Sequence, residues 1–127
     1  MNKKAINAEK APAAVGPYSH AILAGETLYI SGQLGLDPQS GVLAKGIEAQ
    51  AKRGLRNLSA ILETVGMSPA NIVKTTIFLA DMGDFAKVNV IYADYFKELK
   101  EFPARSCVEV AALPKAALFE IEAIAVK

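Results

Sequence analysis

Ala117-Leu118-Phe119-Glu120-Ile121-Glu122-Ala123-Ile124-Ala125-Val126 is a run whose side chains divide by parity. Successive side chains of a strand point to opposite faces. Phe119, Ile121, Ala123 and Ala125 therefore share one face, and Leu118, Glu120, Glu122, Ile124 and Val126 share the other. The first face is wholly apolar and needs a cover. The second sets two carboxylates among apolar neighbours, which is unusual because Glu is seldom buried unpaired. One carboxylate can pair with a cation and the other can serve chemistry; the pattern does not say which.

Upstream, past the loop Ala112-Leu113-Pro114-Lys115, lies Phe102-Pro103-Ala104-Arg105-Ser106-Cys107-Val108. Pro103 fixes its own φ and pushes Phe102 into an extended form, so a strand over 105–111 starts from a stiff entrance. Arg105, Cys107 and Glu109 share one of its faces. A guanidinium so placed can offer a planar fork of donors to a carboxylate. Taken alone, the stretch fits either a receptor for a small organic acid or a structural ion pair.

Further upstream, Val73, Thr75, Ile77 and Leu79 alternate with Lys74, Thr76 and Phe78, which predicts a strand over 72–79. Ile47, Ala51, Leu55, Leu58, Leu62 and Val65 recur at spacings of three and four, a helix stopped by Gly66. A second helix runs to about Lys97 with Phe85, Val88, Tyr92, Tyr95 and Phe96 as its stripe and Asp84 as N-cap. Asn89 lies on the same side as Phe85 and Tyr92; it either tethers a neighbouring loop or contacts a ligand. Strands over 20–23 and 27–31 form a hairpin at Ala24-Gly25-Glu26, and Gly32 marks a bulge or a close approach to the backbone. Residues 1–10 form a polar arm, loose or pairing along an edge.

The order is β-β-α-β-α-β-β, an α+β chain with one mixed sheet and two helices on one face. Both faces of that sheet read as largely apolar. The uncovered one would be a patch that monomers rarely tolerate, so a closed homo-oligomer with binding pockets between subunits is expected.

The chain has 127 residues, 52% hydrophobic and 21% charged, which reads as one globular domain over 1–127. Fourteen basic and 13 acidic residues give a formal charge of +1. That is not the basic footprint of a nucleic-acid binder, so nucleic acid is not expected as a partner. One cysteine, Cys107, excludes an internal disulfide, and one histidine, His20, leaves no Cys/His metal cluster. Lys3 and Lys4 open like an export signal, but Asn7, Glu9 and Lys10 interrupt any apolar run. No stretch suits a membrane span, and the expected address is the cytoplasm.

Gly16-Pro17-Tyr18-Ser19, Ser31-Gly32-Gln33, Val88-Asn89, Pro103-Ala104-Arg105-Ser106-Cys107-Val108, Leu113-Pro114-Lys115 and Glu120-Ile121-Glu122-Ala123-Ile124-Ala125 together resemble the RidA (YjgF) family, in its archetypal branch. The resemblance runs from about residue 11 to residue 126. It implies a chorismate-mutase-like fold and a homotrimer with active sites between subunits. The implied activity is hydrolysis of reactive 2-imino acids (2-iminobutanoate, 2-iminopropanoate) to 2-oxo acids and ammonia, with no metal or organic cofactor. By resemblance Arg105 holds the substrate carboxylate and Glu120 positions or activates water. Tyr18 and Asn89 line the pocket, and backbone groups near Ser31 and Cys107 hold the carboxylate and the imine nitrogen. His20 departs from the family, where Gln is common; the change is expected to leave the site intact while altering the pocket rim.

These residue types suit that chemistry. An imine is already electrophilic, so the protein has only to hold the acid, place a water and manage protons. Cys107 reads as a packed thiol and not as a nucleophile, lacking an obvious base. Two other functions fit the same chain: a non-catalytic sensor of small carboxylates or holdase-type trimer, and an RNA-cleaving translation inhibitor. Near-neutral charge and a single histidine weigh against the latter.

Overall fold

The computed structural model describes residues 2–127. Its elements in chain order are β1 (Lys3–Ile6), β2 (Ala21–Ala24), β3 (Thr27–Leu34), α1 (Ile47–Thr64), β4 (Ile72–Leu79), α2 (Phe85–Tyr95), β5 (Ala104–Glu109) and β6 (Phe119–Val126). They build one six-stranded sheet of order β1-β2-β3-β6-β4-β5. Only β4 and β5 run parallel, joined through α2; the other neighbours are antiparallel. The expected mixed sheet is present, and the N-terminal arm is its pairing edge.

β6 lies between β3 and β4, and its parity organises the core. Phe119, Ile121, Ala123 and Ala125 are all buried, alongside Leu28 and Ile30 of β3 and Ile77 and Leu79 of β4. Ala51, Leu55, Leu58, Ile61 and Leu62 of α1 and Val88 and Tyr92 of α2 complete the same core. Burying side chains of this kind stabilises by about 1.5–3 kcal/mol each, before the cost of ordering them. At Gly54 an added Cβ would lie 2.7 Å from the Phe119 ring, so only glycine lets α1 settle this close to β6. α1 ends where the sequence says it should. Gly66 takes φ +74°, and the N–H groups of Gly66 and Met67 donate to the Glu63 and Leu62 carbonyls, a Schellman stop.

Two amides interrupt the apolar stripe of α1. Asn57 is 1% exposed, and its Nδ2 donates to the carbonyls of Leu34 and Leu36 at 3.0 and 2.9 Å. Gln50 accepts from the Leu118 N–H at 2.8 Å. These bonds pin the end of β3 and the start of β6, the two segments that frame Glu120. Asn57→Leu would orphan two buried carbonyls at ~1–3 kcal/mol each. Urea denaturation should show this as a lower midpoint with an unchanged slope.

Three expectations need correction. Alternation fails at Val73, which is 49% exposed, because a bulge between Ile72 and Lys74 inserts one residue and flips the parity. Asp84 makes no capping bond. A 3-10 turn over Met82–Asp84 precedes α2, and it is Asp81 that accepts from the Gly83 N–H, so Asp84 is already helical. The second sheet face is mixed rather than largely apolar. Tyr29 and Val108 are exposed there, but the register sets Lys74, Thr76, Ser106 and Glu122 among them.

Candidate active site

Arg105 is the second residue of β5, the edge strand, two residues after Pro103. Its register partner is Thr75, whose own partner on β6 is Ala123, so Arg105 belongs to the helix-covered face. One side of α2 reaches it. Nη1 donates to Asn89 Oδ1 at 2.8 Å, and the guanidinium carbon lies 4.8 Å from the Tyr92 ring centroid and 5.4 Å from that of Phe85. Among the described residues no carboxylate pairs with Arg105; the ion pairs are Arg53–Asp37 and Lys97–Asp94. The structural ion pair is therefore not what this arginine makes, and Asn89 tethers the arginine rather than a loop.

Cys107 follows two residues on, on the same face and half-buried. Burial pushes its thiol pKa up, and the nearby Arg105 charge offsets only part of that. A protonated thiol is a poor nucleophile, in line with a packing role.

Glu120 stands on the opposite face, beside Phe78 of β4. The register of β3 shifts between Ile30 and Gln33, the bulge expected at Gly32. The bulge makes room: a Cβ at Gly32 would lie 2.6 Å from Glu120 Oε2. Glu120 is half-buried, and its pKa is raised, first by burial and second by repulsion from Glu122. Tyr18, His20, Gly32, Lys115 and Glu120 line a cavity of about 60 Å³, room for a water or two and too small for a substrate. Gln33, Pro114 and Lys115 share this wall. Lys115 and Ala116 both hold positive φ, at 58° and 56°, in the loop that leads to Glu120.

Ser31 is next to this wall but has little left to offer. Its N–H donates to the His20 carbonyl at 2.9 Å and its Oγ to the Ser19 carbonyl at 2.7 Å. His20 is buried at 4% exposure. Its Nδ1 accepts from the Ala8 N–H and its Nε2 donates to the Pro12 carbonyl, at 2.9 and 2.8 Å. The ring is a staple for the N-terminal arm, with neither nitrogen free.

The candidate residues thus fall into two groups. Arg105, Asn89 and Cys107 gather on the helix side; Tyr18, Ser31 and Glu120 gather around the Gly32 bulge. Between Arg105 and Glu120 lie two strand spacings, about 10 Å, and three residues along the strand, about 10 Å more, with the side chains on opposite faces. One small acid cannot touch both within one subunit. A wider groove of about 570 Å³ between α1 and α2, lined by Lys52, Arg56, Ser59, Asp94 and Tyr95, contains none of these residues. Among the described residues no group of three or more His, Cys, Asp or Glu could hold a metal ion, and no helix is long and apolar enough to cross a membrane.

Fold and site together define a chorismate-mutase-like α+β protein with an unpaired arginine on one sheet face and a destabilised carboxylate on the other. The endoribonuclease L-PSP family model matches residues 8–127. A human 2-iminobutanoate/2-iminopropanoate deaminase is 50% identical over 126 residues, covering 98% of this chain and 90% of the relative. The structure of a Rid-family protein from Yersinia pestis superimposes with a TM-score of 0.96 at 49% identity, covering 99% of this chain and 100% of the other. E. coli TdcF with bound serine gives 0.94 at 42%, covering 98% of both chains. The chain belongs to the RidA family, the group that the endoribonuclease L-PSP model describes.

Proposed function

We propose that this protein hydrolyses reactive 2-imino acids, such as 2-iminobutanoate and 2-iminopropanoate, to 2-oxo acids and ammonia. One observation carries the proposal. Arg105 is held by an amide and two rings, and among the described residues no carboxylate neutralises it. A charge kept open in this way awaits an acid from outside. The human relative named for this reaction and the serine-bound E. coli relative both support a small amino-acid-derived substrate.

The separation of the two residue groups supports a site completed by a second subunit. Arg105, Asn89 and Cys107 come from one copy and Tyr18, Ser31 and Glu120 from its neighbour, in a homotrimer whose mixed sheet faces are covered on assembly. In such a site Arg105 takes the substrate carboxylate through two charge-assisted hydrogen bonds. Glu120, with a pKa raised toward the working range of a general base, accepts a proton from water as the water oxygen bonds to the carbon of the protonated imine. The product is a neutral carbinolamine bearing OH and NH2. Glu120 returns that proton to nitrogen and then takes the hydroxyl proton as the C–N bond breaks and the C=O bond forms; the 2-oxo acid leaves, and ammonia carries the remaining proton away as ammonium. Ser31, with both donors occupied, serves as wall. We take the chain as one domain over 1–127 acting in the cytoplasm, where a lone thiol stays reduced.

RNA cleavage, which the family description names, is the poorer fit. Histidine is the usual acid–base residue near neutral pH, and the one histidine here has both ring nitrogens bonded to backbone. A dehydratase that releases 2-aminocrotonate tests the proposal. Adding this protein should speed the loss of the enamine/imine absorbance; decay at the uncatalysed rate at micromolar protein would refute it.

A further inference from the structure

β5 is an edge strand, so no strand stands beyond Arg105 to wall its side chain. A free arginine carries about 2 kcal/mol of rotamer entropy, which an acid would have to overcome on binding. α2 replaces the missing neighbour. Phe85, Asn89 and Tyr92 stand at i, i+4 and i+7 on one side of that helix, and all three touch the guanidinium: two rings at 5.4 and 4.8 Å, and an amide on Nη1 at 2.8 Å. Tyr92 is fixed in turn. It is 5% exposed, and its hydroxyl shares a 2.7 Å hydrogen bond with Thr75 Oγ1, which is fully buried. Thr75 is the register partner of Arg105. The residue beside the arginine therefore anchors the ring that holds the arginine.

The chemistry of this cradle is selective. A carboxylate would hold the guanidinium by neutralising it. A ring face holds a cation through its quadrupole and leaves the charge intact. Asn89 takes Nη1, while Nε and Nη2 have no partner among the described residues. The unused edge is the fork that a carboxylate binds in bidentate fashion.

We propose that Phe85 and Tyr92, the latter through Thr75, are positioning residues that fix the Arg105 guanidinium for bidentate capture of a carboxylate and set affinity for the acid group. The part that concerns turnover rests on imine hydrolysis being the reaction; the part that concerns the arginine does not. Holding the carboxylate equally in ground and transition states changes KM and leaves kcat alone.

The first variant to make is Phe85→Leu, because Phe85 is 37% exposed and leucine keeps an apolar side chain there. It should weaken 2-oxobutanoate binding and raise KM by about three- to tenfold, with kcat within about twofold of wild type and an unchanged melting temperature. Phe85→Tyr, which restores a ring, should return both constants to within about twofold. Tyr92→Phe keeps the ring and cuts the Thr75 link, and should give a smaller rise in KM than Phe85→Leu. A second readout needs no ligand. The Arg105 Nε–H resonance of ¹⁵N-arginine-labelled protein should be displaced upfield by the rings, and should move toward the free-arginine position in Phe85→Leu. Should wild type prove inert toward imines while that resonance still follows the rings, the reaction assignment fails and the positioning role stands. Unchanged resonance and unchanged 2-oxobutanoate affinity in Phe85→Leu would overturn the positioning role itself.

Discussion

Arg105→Ala is expected to lower kcat/KM for 2-iminobutanoate by between about 30-fold and about 5,000-fold, the equivalent of ~2–5 kcal/mol for a truncated, desolvated charge partner. The loss should come with little change in stability. Among the described residues Arg105 makes a single side-chain hydrogen bond and no ion pair, so alanine leaves only the Asn89 amide without its partner. Arg105→Lys keeps the charge but not the fork, and should recover only part of the activity. The dissociation constant of 2-oxobutanoate should rise along with the kinetic defect, because the same contact serves ground state and transition state. Full turnover in Arg105→Ala would remove the arginine from the site.

Glu120→Gln should reduce kcat by roughly 10²–10⁴-fold, the usual loss when a positioned acid–base group is removed. The pH dependence has a definite sign. The folded-state pKa of Glu120 lies above the ordinary value of 4.5, through burial first and Glu122 second. The base form is lost as pH falls through that raised pKa, so kcat/KM should have an acid limb above the ordinary carboxylate range. Glu122→Gln removes the repulsion and should shift the limb to lower pH. Stability runs the other way. A carboxyl group whose folded pKa is raised favours the folded state most fully below its unfolded pKa, and that benefit disappears as pH rises through the folded pKa. At neutral pH the Glu120 charge is a burden on folding. Glu120→Gln should thus melt no lower than wild type at pH 7 and lose any advantage in acid. A rate that stays level as pH falls all the way through the ordinary carboxylate value of 4.5 would contradict the base role.

What could be read in the sequence was whatever one segment decides alone. The α1 stripe from Ile47 to Leu62, its Gly66 stop, the parity of Phe119 to Val126 and the Gly32 bulge all depend on neighbours within a few residues, and all are found. What could not be read depends on pairing at a distance. The bulge at Val73 exists because β4 meets β6 in one particular register. Asn57 and Gln50 look like faults in a helix stripe until Leu34, Leu36 and Leu118 arrive from elsewhere to be bonded. Lys74 and Ser106 enter the second sheet face only once β4, β5 and β6 are aligned.

The site shows the same division. Arg105 at the mouth of a stiff strand, and Asn89 on the side of Phe85 and Tyr92, were both legible. Their direct bond was not, since β4–β5 is a parallel pair joined through α2. Phe85 and Tyr92 read as core because an apolar stripe is ambiguous between packing and cradling a cation. Nor does any local pattern reveal that Arg105 and Glu120 lie on opposite faces. That follows from strand order, which divides the candidate residues between the two faces of the sheet.

Mixing two inactive variants tests directly whether those halves meet across subunits. Arg105→Ala retains an intact Glu120, and Glu120→Gln retains an intact Arg105. Coexpressed in equal amounts and assembled at random, they should regain about one quarter of wild-type activity per site, because in a heterologous interface one site in four draws its arginine and its glutamate from the competent parents. Mixed assemblies as inactive as either parent, with subunit exchange verified by mass spectrometry of differently tagged chains, would contradict a site shared between copies.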